Sequence, residues 1–353
     1  MKNNQFILYG ANGYTGKLIT ELARDYSLEP VLAGRNENAI KALAAEHKLP
    51  YQIADINNPA ELIKLLSGFP LVLHAAGPFR HTAKQMIEAC LLTNTHYIDI
   101  TGEIPVFEMA KTYNEAAIAK GIMLMPGSGF DVVPTDCLAL FLKNKMPDAV
   151  HLNLAFVSQG GGLSHGTATT MAESLGEGGA ARENGKIVSK PLGHKSRWVE
   201  ILGKRFFVMT IPWGDIATGY HTTSIPNIET YTGIKPGIHK LLKLQFLLNP
   251  ILRTSFIRNF VKKKINQRSR GPSPAARKNA YSLIWGETIN KNGESIIATL
   301  SCPDGYTLTS RSSLLIAQKI LNGNFRPGYQ TPGSAYGADL VLEIPGVERQ
   351  QIN

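Results

Sequence analysis

Apolar and polar residues alternate in short blocks over the first 125 residues of the chain. Six apolar runs of strand length are separated by segments in which apolar residues recur every three or four positions, the spacing of an amphipathic helix. The runs are QFILYG, EPVLAGR, PYQIAD, PLVLHAAG, HYIDITG and GIMLMPG. Buried strands joined by helices favour a parallel sheet covered by helices on both faces. We therefore predict an α/β domain with a doubly wound parallel sheet.

The pattern changes after Gly127, where the predicted strands become longer. A helix is predicted over DVVPTDCLALFLKNK, followed by the strands HLNLAFVSQ, RFFVMTIP, HTTSIPNIETYT, AYSLIWGETIN and ESIIATLSC. Tight turns such as NKNGE favour a mostly antiparallel sheet with helices on one side. A last helix is predicted from Thr307 to Leu321.

These patterns predict two domains and a returning C-terminal segment. We expect a nucleotide-binding domain over residues 1–130 and an α+β substrate or dimerisation domain over 131–306. We expect the helix and tail at 307–353 to pack back on the first domain.

The first predicted strand ends in a glycine-rich turn, ILYGANGYTGKL at residues 7–18. A P-loop needs four residues between its glycines and a Ser or Thr after the Lys. Five residues separate Gly10 from Gly16, and Leu18 follows the lysine, so a P-loop is excluded. The spacing G-x-x-G-x-x-G, with Gly13 in the middle, suits a dinucleotide whose pyrophosphate lies at the start of the next helix. The turn after this strand therefore predicts a Rossmann-type dinucleotide-binding domain.

The end of the second predicted strand indicates which dinucleotide binds. An NAD site has a carboxylate there for the ribose 2′-hydroxyl, whereas this chain has Arg35. A guanidinium suits a 2′-phosphate through charge-assisted hydrogen bonds, which favours NADP(H); the alternative is that Arg35 only covers a solvated strand end. Asp55, after the third strand, is open to two interpretations. It accepts a hydrogen bond from the adenine amino group, or it is the N-cap of the next helix.

Ligands of doubly wound sheets bind at the carboxyl ends of the strands. The segments AAGPF, after the fourth strand, and TGE, after the fifth, are therefore expected to border the cofactor. The complete predicted cofactor site comprises Gly10, Asn12, Gly13, Tyr14, Thr15, Gly16, Arg35, Asp55, Ala76, Gly77, Pro78, Phe79 and Gly102.

A hydrolase-like motif in the second half competes with this interpretation. GLSHG, residues 162–166, fits the nucleophile motif G-x-S-x-G, and Ser164, Asp215 and His221 follow in the order of a hydrolase triad. A nucleotide-binding domain in the first half leaves too little sequence for a hydrolase sheet. We predict instead that QGGGLSHGT opens a helix near the substrate, where small residues allow close approach.

Cysteine usage and hydropathy narrow the class of protein. The 353-residue chain has three widely separated cysteines, Cys90, Cys137 and Cys302, which form no C-x-x-C motif and no metal-ligand cluster. We therefore expect a reducing, cytoplasmic environment and no metal site. No run reaches the ~18 apolar residues of a membrane span, and the chain begins directly with a strand. We therefore expect neither a transmembrane helix nor a signal peptide.

The net charge of +10 is concentrated in one segment. No acidic residue lies between Glu229 and Glu287, a stretch with twelve Lys and Arg, so the rest of the chain sums to 10 − 12 = −2. Within it, residues 236–264 are predicted to form two basic amphipathic helices, broken at Asn249 and Pro250. The predicted apolar face comprises Leu252, Phe256, Phe260 and Val261, and the residues off this face include Arg253, Arg258, Lys262 and Lys263.

Two roles are open for these basic helices. They form a lid or a homodimer contact, or they make peripheral contact with the inner face of an anionic membrane and deliver a lipid-like substrate. Nucleic acid is not expected as a partner, because the three phenylalanines of the segment fit a helix core and not a stacking platform.

Six motifs resemble, in this order, those of the saccharopine dehydrogenase-like oxidoreductases: YGANGYTGKL, LAGRN, AAGPF, YIDITGE, PGSGFDVVPTD and TPGSAYGADL. This family includes saccharopine reductases, the animal saccharopine dehydrogenase-like protein and mycobacterial trans-acting enoyl reductases. The resemblance spans almost the whole chain and implies a Rossmann domain, an α/β substrate domain and NADP(H) as cofactor. Saccharopine reductases have G-L-D-P-G at residues 129–133. Asp131 matches their aspartate, but its neighbours differ, and the enoyl-reductase-like branch is more similar.

We therefore expect an NADP(H)-dependent oxidoreductase, with reduction of an apolar or acyl/enoyl-type small molecule as the leading hypothesis. The alternatives are a saccharopine-type amino-acid reductase and a non-catalytic NADP-binding protein associated with a membrane or a partner. Hydride transfer to an imine, carbonyl or enoyl group needs a nearby acid. The sequence leaves this catalytic residue unknown, with Asp131, His165 and Tyr220 as candidates.

Overall fold

The computed structural model describes residues 4–242, 245–267 and 271–351. The chain divides into two compact units. The first comprises Met1–Val133 and Tyr306–Ala335, and the second comprises Pro134–Gly305 and Tyr336–Asn353. Residues 307–353, expected as one segment on the first domain, are thus divided between the two units.

Strands and helices alternate in the first unit as the sequence pattern predicts. Its elements up to residue 125 are β1 (Gln5–Tyr9), α1 (Tyr14–Leu22), β2 (Glu29–Gly34), α2 (Glu37–His47), β3 (Tyr51–Ile53), α3 (Pro59–Leu66), β4 (Leu71–His74), α4 (Ala83–Thr93), β5 (His96–Asp99), α5 (Ile104–Lys111), α6 (Asn114–Ala119) and β6 (Met123–Met125). The strands lie in the order β3-β2-β1-β4-β5-β6, and all neighbours pair in parallel. The predicted Rossmann-type sheet is confirmed.

The central strand of this sheet shows why the fold forms. Phe6, Ile7 and Leu8 of β1 are completely buried, since a parallel sheet covered on both faces buries successive side chains in opposite directions. Because the strand order reverses between β1 and β4, a crevice is expected at their carboxyl ends. The predicted cofactor residues all lie in loops or first helical turns at this edge.

The second unit is built on a nine-stranded sheet. The elements in this part of the chain are α7 (Val133–Lys145), β7 (His151–Gln159), α8 (His165–Glu173), β8 (Gly179–Glu183), β9 (Lys186–Lys190), β10 (Ser196–Ile201), β11 (Lys204–Thr210), α9 (Asp215–Thr223), β12 (Asn227–Gly233), α10 (Pro236–Leu242), α11 (Gln245–Leu252), α12 (Ser255–Asn266), α13 (Pro274–Lys278), β13 (Tyr281–Ile289) and β14 (Ser295–Pro303). The C-terminal elements are α14 (Gly305–Leu321), β15 (Gly328–Tyr329), α15 (Pro332–Tyr336) and β16 (Glu348–Gln351).

These C-terminal elements complete both sheets. β15 pairs in parallel with β6 and becomes the seventh strand of the first sheet. The second sheet runs β10-β11-β12-β7-β13-β14-β16, with β8 and β9 attached through β12. In this order β12 and β7 pair in parallel and the other neighbours are antiparallel. The predicted mostly antiparallel sheet is therefore confirmed.

Two local predictions in the second unit are wrong. The strand predicted over HTTSIPNIETYT begins only at Asn227, because Thr223 ends helix α9 and donates its hydroxyl to the Gly219 carbonyl within that helix. The predicted break at Asn249 and Pro250 lies inside α11. Pro250 is in the last turn of α11, which ends at Leu252. The next helix, α12, begins after Thr254, whose side chain caps it. Residues 243 and 244 of the predicted basic segment lie outside the described residues.

Candidate functional site

Two glycines hold the turn after β1 against the sheet. Gly10 has a φ of +86°, and a Cβ on it would lie 2.8 Å from backbone atoms of Ala75 and Ala76. A Cβ on Gly16 would overlap the Gly10 carbonyl oxygen and lie 2.8 Å from the backbone of Ala11. Both positions therefore require glycine for the fold itself, the first for conformation and packing and the second for packing alone.

Gly13, the N-cap residue of α1, has a different role. Its φ of −70° is open to any residue, and it has no side chain to cap the helix. Among the described residues, only the Gly10 carbonyl oxygen, at 3.2 Å, would be near its Cβ. The first N–H groups of a helix lack intrahelical partners, and anions bind there. The absent side chain therefore leaves room for a pyrophosphate in front of α1, as a dinucleotide site requires.

The remaining turn residues surround this helix start. The Tyr14 ring packs edge-on against Tyr306, with centroids 5.0 Å apart. The Asn12 side chain lies close to Gly34, since a Cβ there would be 3.3 Å from Asn12 Oδ1. Thr15 is half-buried in the first turn of α1.

The ends of β2 and β3 carry exposed polar side chains. Arg35 is exposed immediately after β2, and the side chain that caps α2 belongs to its neighbour Asn36. Asp55 Oδ1 accepts hydrogen bonds from the backbone and side-chain nitrogens of Asn57, at 2.9 and 3.1 Å. The N-cap of α3 is Asn58, so the interpretation of Asp55 as that cap is wrong. Its contact with adenine stays a prediction.

Glu103 joins the loop after β4 to the loop after β5. One carboxylate oxygen accepts the backbone N–H of Phe79 at 2.7 Å. The other accepts the backbone N–H of Arg80 at 3.2 Å and its Nε at 3.1 Å. The Glu103 side chain is only 7% exposed, so these charge-assisted bonds are shielded from water. The predicted loop residues Ala76, Gly77, Pro78 and Phe79 are thereby held from the neighbouring loop.

Asp99, the last residue of β5, makes the next connection. Its Oδ1 accepts the backbone N–H groups of Thr101 and Gly127, at 2.9 and 2.8 Å, and its Oδ2 accepts the Tyr97 hydroxyl at 2.5 Å. Ser128 donates both its N–H and its hydroxyl to the Asp99 carbonyl, each at 2.7 Å. Burial raises the pKa of Asp99 to about 7, although the three hydrogen bonds to its carboxylate act in the opposite direction. The loops after β4, β5 and β6 are thus connected in series by two buried carboxylates.

Asp131 lies against the middle of this series. A Cβ on Gly102 would lie 2.6 Å from Asp131 Oδ2, so glycine at this position lets the carboxyl group approach the loop after β5. Burial, and then the nearby charge of Glu103, raise the pKa of Asp131 to about 7. This carboxyl group can therefore hold a proton close to neutral pH.

The other two catalytic candidates lie in the second unit. His165 begins α8, the helix expected after the glycine-rich segment, and Ser164 accepts the Thr167 N–H at 3.2 Å as its N-cap. The hydroxyl of the hydrolase-like motif therefore caps a helix. Tyr220 lies in α9, with the Arg182 guanidinium 4.4 Å from its ring centroid. Asp131 and all predicted cofactor residues belong to the first unit.

Sequence reasoning missed Asp99 and the buried His74, and it included Glu103 only as part of the TGE segment, without its role in holding the loop after β4. The His74 ring lies between Tyr9 and Phe79, at 5.6 and 5.3 Å, and burial lowers its pKa to about 3, so the ring is neutral. The one available signal was YIDITGE, which puts two acids at the end of a buried strand. An acid in such a position needs a partner when it is buried, but the sequence does not show which partner.

Among the described residues, no group of three or more His, Cys, Asp or Glu side chains could hold a metal ion. No helix of the described part has the length and apolar composition to cross a membrane.

Comparison with known proteins supports the cofactor assignment. Residues 6–125 match the family model of the saccharopine dehydrogenase NADP binding domain, which indicates NADP(H) binding. The saccharopine dehydrogenase-like oxidoreductase of Rattus norvegicus is 29% identical over 204 residues, which are 51% of this chain and 48% of that protein. The trans-acting enoyl reductase of Mycobacterium leprae is 32% identical over 138 residues, or 37% of this chain and 33% of that protein. The chain thus matches these curated relatives over less than half of their length.

One solved structure is similar over nearly the whole chain. The apo form of saccharopine dehydrogenase (L-Glu forming) from Saccharomyces cerevisiae has a TM-score of 0.69 and covers 99% of this chain, and 100% of that chain is covered. The sequences are 12% identical. This similarity shows that the fold is shared.

Proposed function

We propose that this chain, whose first unit matches the saccharopine dehydrogenase NADP binding domain, is an NADP(H)-dependent oxidoreductase that reduces an apolar or acyl-type substrate. The open space at Gly13 and the exposed Arg35 support NADP(H) as its cofactor. The matched relatives are named oxidoreductases or reductases, which is consistent with an enzyme that acts on a small molecule. The observation that carries the proposal is the position and pKa of Asp131 at the edge of the same sheet.

Asp131 is the proton donor in this proposal. Bound NADPH would supply a hydride, and the carbon or heteroatom next to the hydride acceptor must then gain a proton. The Asp131 O–H bond breaks to give that proton, and the carboxylate that remains takes up a proton from water. A general acid works best with a pKa near the working pH, and burial places Asp131 there.

An enoyl or other acyl-type substrate is favoured over an amino acid. One matched relative is named a trans-acting enoyl reductase, and the chain departs from G-L-D-P-G around Asp131. The alternatives remain a saccharopine-type amino-acid reductase and a protein that binds NADPH without turning it over.

A substrate panel with three acid variants tests this proposal. NADPH oxidation is measured with a medium-chain enoyl thioester, a long-chain aldehyde, and an amino-acid semialdehyde together with glutamate. We expect activity with the first or second, and a loss of about 10²–10⁴ in kcat for Asp131→Asn with NADPH binding retained. His165→Gln and Tyr220→Phe are the matched comparisons. If turnover is lost in one of these two variants and kept in Asp131→Asn, the substituted His165 or Tyr220 would be the proton donor in place of Asp131. Binding of NADPH without oxidation in any mixture would support the non-catalytic alternative.

A second proposal concerns the α11–α12 face, defined as Phe246, Leu247, Ile251, Phe256 and Phe260. We propose that this face contacts an anionic lipid surface. Its side chains are between 54% and 77% exposed. Phe256 and Phe260 are one turn apart on α12 and are followed by the exposed Lys263 and Lys264. Exposed aromatic side chains flanked by lysines are typical of helices that lie in the headgroup region.

The basic side chains of α12 lie on two different sides of the helix, and this distribution supports the proposed lipid contact. Lys262 pairs with Glu173, the last residue of α8, at 2.8 Å, and Arg258 pairs with Glu177, just after this helix, at 3.3 Å. These ion pairs hold one charged side of α12 against the protein, and the sequence had left open which face of the helix is exposed. Phe256 and Phe260 are left outside with two further lysines.

Vesicle co-sedimentation over a salt series tests the lipid contact. We expect binding to anionic phosphatidylglycerol vesicles and little to phosphatidylcholine alone. Lys263→Gln with Lys264→Gln should weaken low-salt binding by about 2 kcal/mol, roughly thirtyfold. Phe256→Ser with Phe260→Ser should remove the part that resists salt. Leu92→Ser, at a 67% exposed apolar residue of the first unit, is the control. A dimer that the Phe variant dissociates, with no vesicle binding, would contradict the proposal.

A further inference from the structure

The Glu103 side chain is used for something other than its own helix. Glu103 is the N-cap residue of α5, yet it makes no side-chain cap there. An N-cap side chain ordinarily accepts an N–H of the first helical turn. Here both carboxylate oxygens are occupied by a loop that precedes Glu103 by 23 and 24 residues. The hydrogen bonds of the Glu103 carboxylate therefore fix the conformation of the loop after β4 and do not cap α5.

The loop after β4 is fixed on its other side as well. Its backbone at Ala75 and Ala76 lies so close to Gly10 that no Cβ would fit between them. A displacement of this loop would thus press on the glycine turn. Contact with Gly10 blocks movement toward β1, and the bonds from Phe79 and Arg80 to Glu103 attach the loop to the start of α5.

The strand order indicates which half of a bound dinucleotide the loop after β4 would border. The order β3-β2-β1-β4-β5-β6 has one mononucleotide half on each side of the boundary between β1 and β4. Arg35 at the end of β2 assigns the phosphorylated adenosine half to the β1–β3 side. The loop after β4 therefore lies on the side of the nicotinamide half.

We propose that Glu103 is a positioning residue that holds the loop after β4 in the conformation required by the nicotinamide end of the cofactor. This inference rests on the proposed NADP(H)-dependent function. Under this proposal, binding of the nicotinamide half depends on Glu103, and binding of the adenosine half does not. Charge-assisted bonds from two consecutive backbone N–H groups fix a loop more narrowly than a single neutral bond.

The two halves can be separated with two ligands. NADPH contains the nicotinamide, and 2′-phospho-ADP-ribose contains the adenosine half and both bridging phosphates but no nicotinamide ring. We expect Glu103→Ala to weaken NADPH at least tenfold and to leave 2′-phospho-ADP-ribose within twofold of the wild type. The rise in nicotinamide fluorescence on binding should fall in the same variant, since the ring would no longer be held. Glu108→Gln, which removes an exposed charge from the same helix, should change none of these.

A conservative variant keeps the test decisive if Glu103→Ala unfolds. Glu103→Gln retains one acceptor oxygen but faces the other N–H with an amide donor, so we expect an intermediate loss of NADPH affinity, about three- to tenfold. Equal weakening of both ligands in either folded variant would mean a structural role for Glu103 and overturn the inference. Unchanged NADPH affinity in Glu103→Gln would overturn it as well. A wild type that binds neither ligand would instead contradict the proposed function.

Discussion

The two sides of the sheet edge in the first unit are built in different ways. On the β1–β3 side, the exposed acceptor side chains bond locally: Asn36 and Asn58 each accept from a residue three positions on, and Asp55 from a residue two positions on. On the β4–β6 side, the bonds from Phe79 and Arg80 to Glu103 and from Gly127 to Asp99 join residues 23 to 28 positions apart. The first side leaves exposed side chains for a ligand, and the second uses buried carboxylates to fix its loops.

This difference separates recognition from positioning. An exposed guanidinium can bind a ligand phosphate, and its replacement should cost little folding stability, since its removal leaves no buried group without a partner. A buried carboxylate that holds two backbone N–H groups cannot be removed without leaving those donors unsatisfied. Substitutions of exposed side chains on the β1–β3 side should therefore change cofactor affinity alone. Substitutions of the buried carboxylates on the β4–β6 side should also change the conformation of the loops.

The largest expected effect separates two glycines that look alike in sequence. We expect Gly13→Val to weaken NADPH binding at least a hundredfold, about 2.7 kcal/mol or more, because the side chain would occupy the open space before α1. The thermal stability of this variant should stay near that of the wild type, since a φ of −70° suits valine. Calorimetric titration and a thermal melt measure both quantities.

Gly16→Val is the matched control for this pair. Its Cβ would overlap backbone atoms that cannot move aside, so we expect a loss of about 1–3 kcal/mol of folding stability or more. If Gly13→Val is folded and binds NADPH normally, the glycine turn does not hold the pyrophosphate.

A smaller effect is expected on the exposed side. Arg35→Ala should weaken NADPH by roughly tenfold or more, corresponding to about 1.5–3 kcal/mol for a charged hydrogen-bonded contact, and should leave NADH unchanged. Arg24→Ala, another exposed arginine of the first unit, is the control. Equal affinity of the wild type for NADPH and NADH would show that Arg35 does not select the 2′-phosphate.

The smallest effect is a pH dependence on the carboxylate side. The pKa of Asp131 is raised from 3.8 to about 7 in the folded chain, so the native state binds a proton that the unfolded state has lost over this interval. Stability from this group is fully present below about pH 4 and is lost as the pH rises through about 7. Asp131→Asn should therefore raise the melting temperature more at pH 8 than at pH 5.

A charge-matched control isolates this contribution, because Asp99 titrates over the same interval. Asp25→Asn, at an exposed acid of the first unit, should shift the melting temperature equally at both pH values. The same behaviour in Asp131→Asn would mean that the carboxyl group is already ionised near pH 5.

How much could be predicted depended on the range of the interaction. The alternation of QFILYG and its successors predicted the parallel sheet, because strand and helix periodicity depends on neighbours within a few positions. The face that α12 exposes was left open by the sequence. Its periodicity shows which residues share a side, but the choice of side was made by Glu173 and Glu177, more than 80 residues away.

The sequence by itself determined the strand–helix alternation, the glycine turn and the arginine after the second strand, because these depend on neighbours within a few positions. Only the tertiary structure decided that Gly10 and Gly16 serve the fold while Gly13 leaves space for a ligand. It also decided that Glu103 holds the loop after β4. These roles arise from packing and desolvation between segments far apart in the chain, and burial of that kind has no local pattern from which it could be predicted.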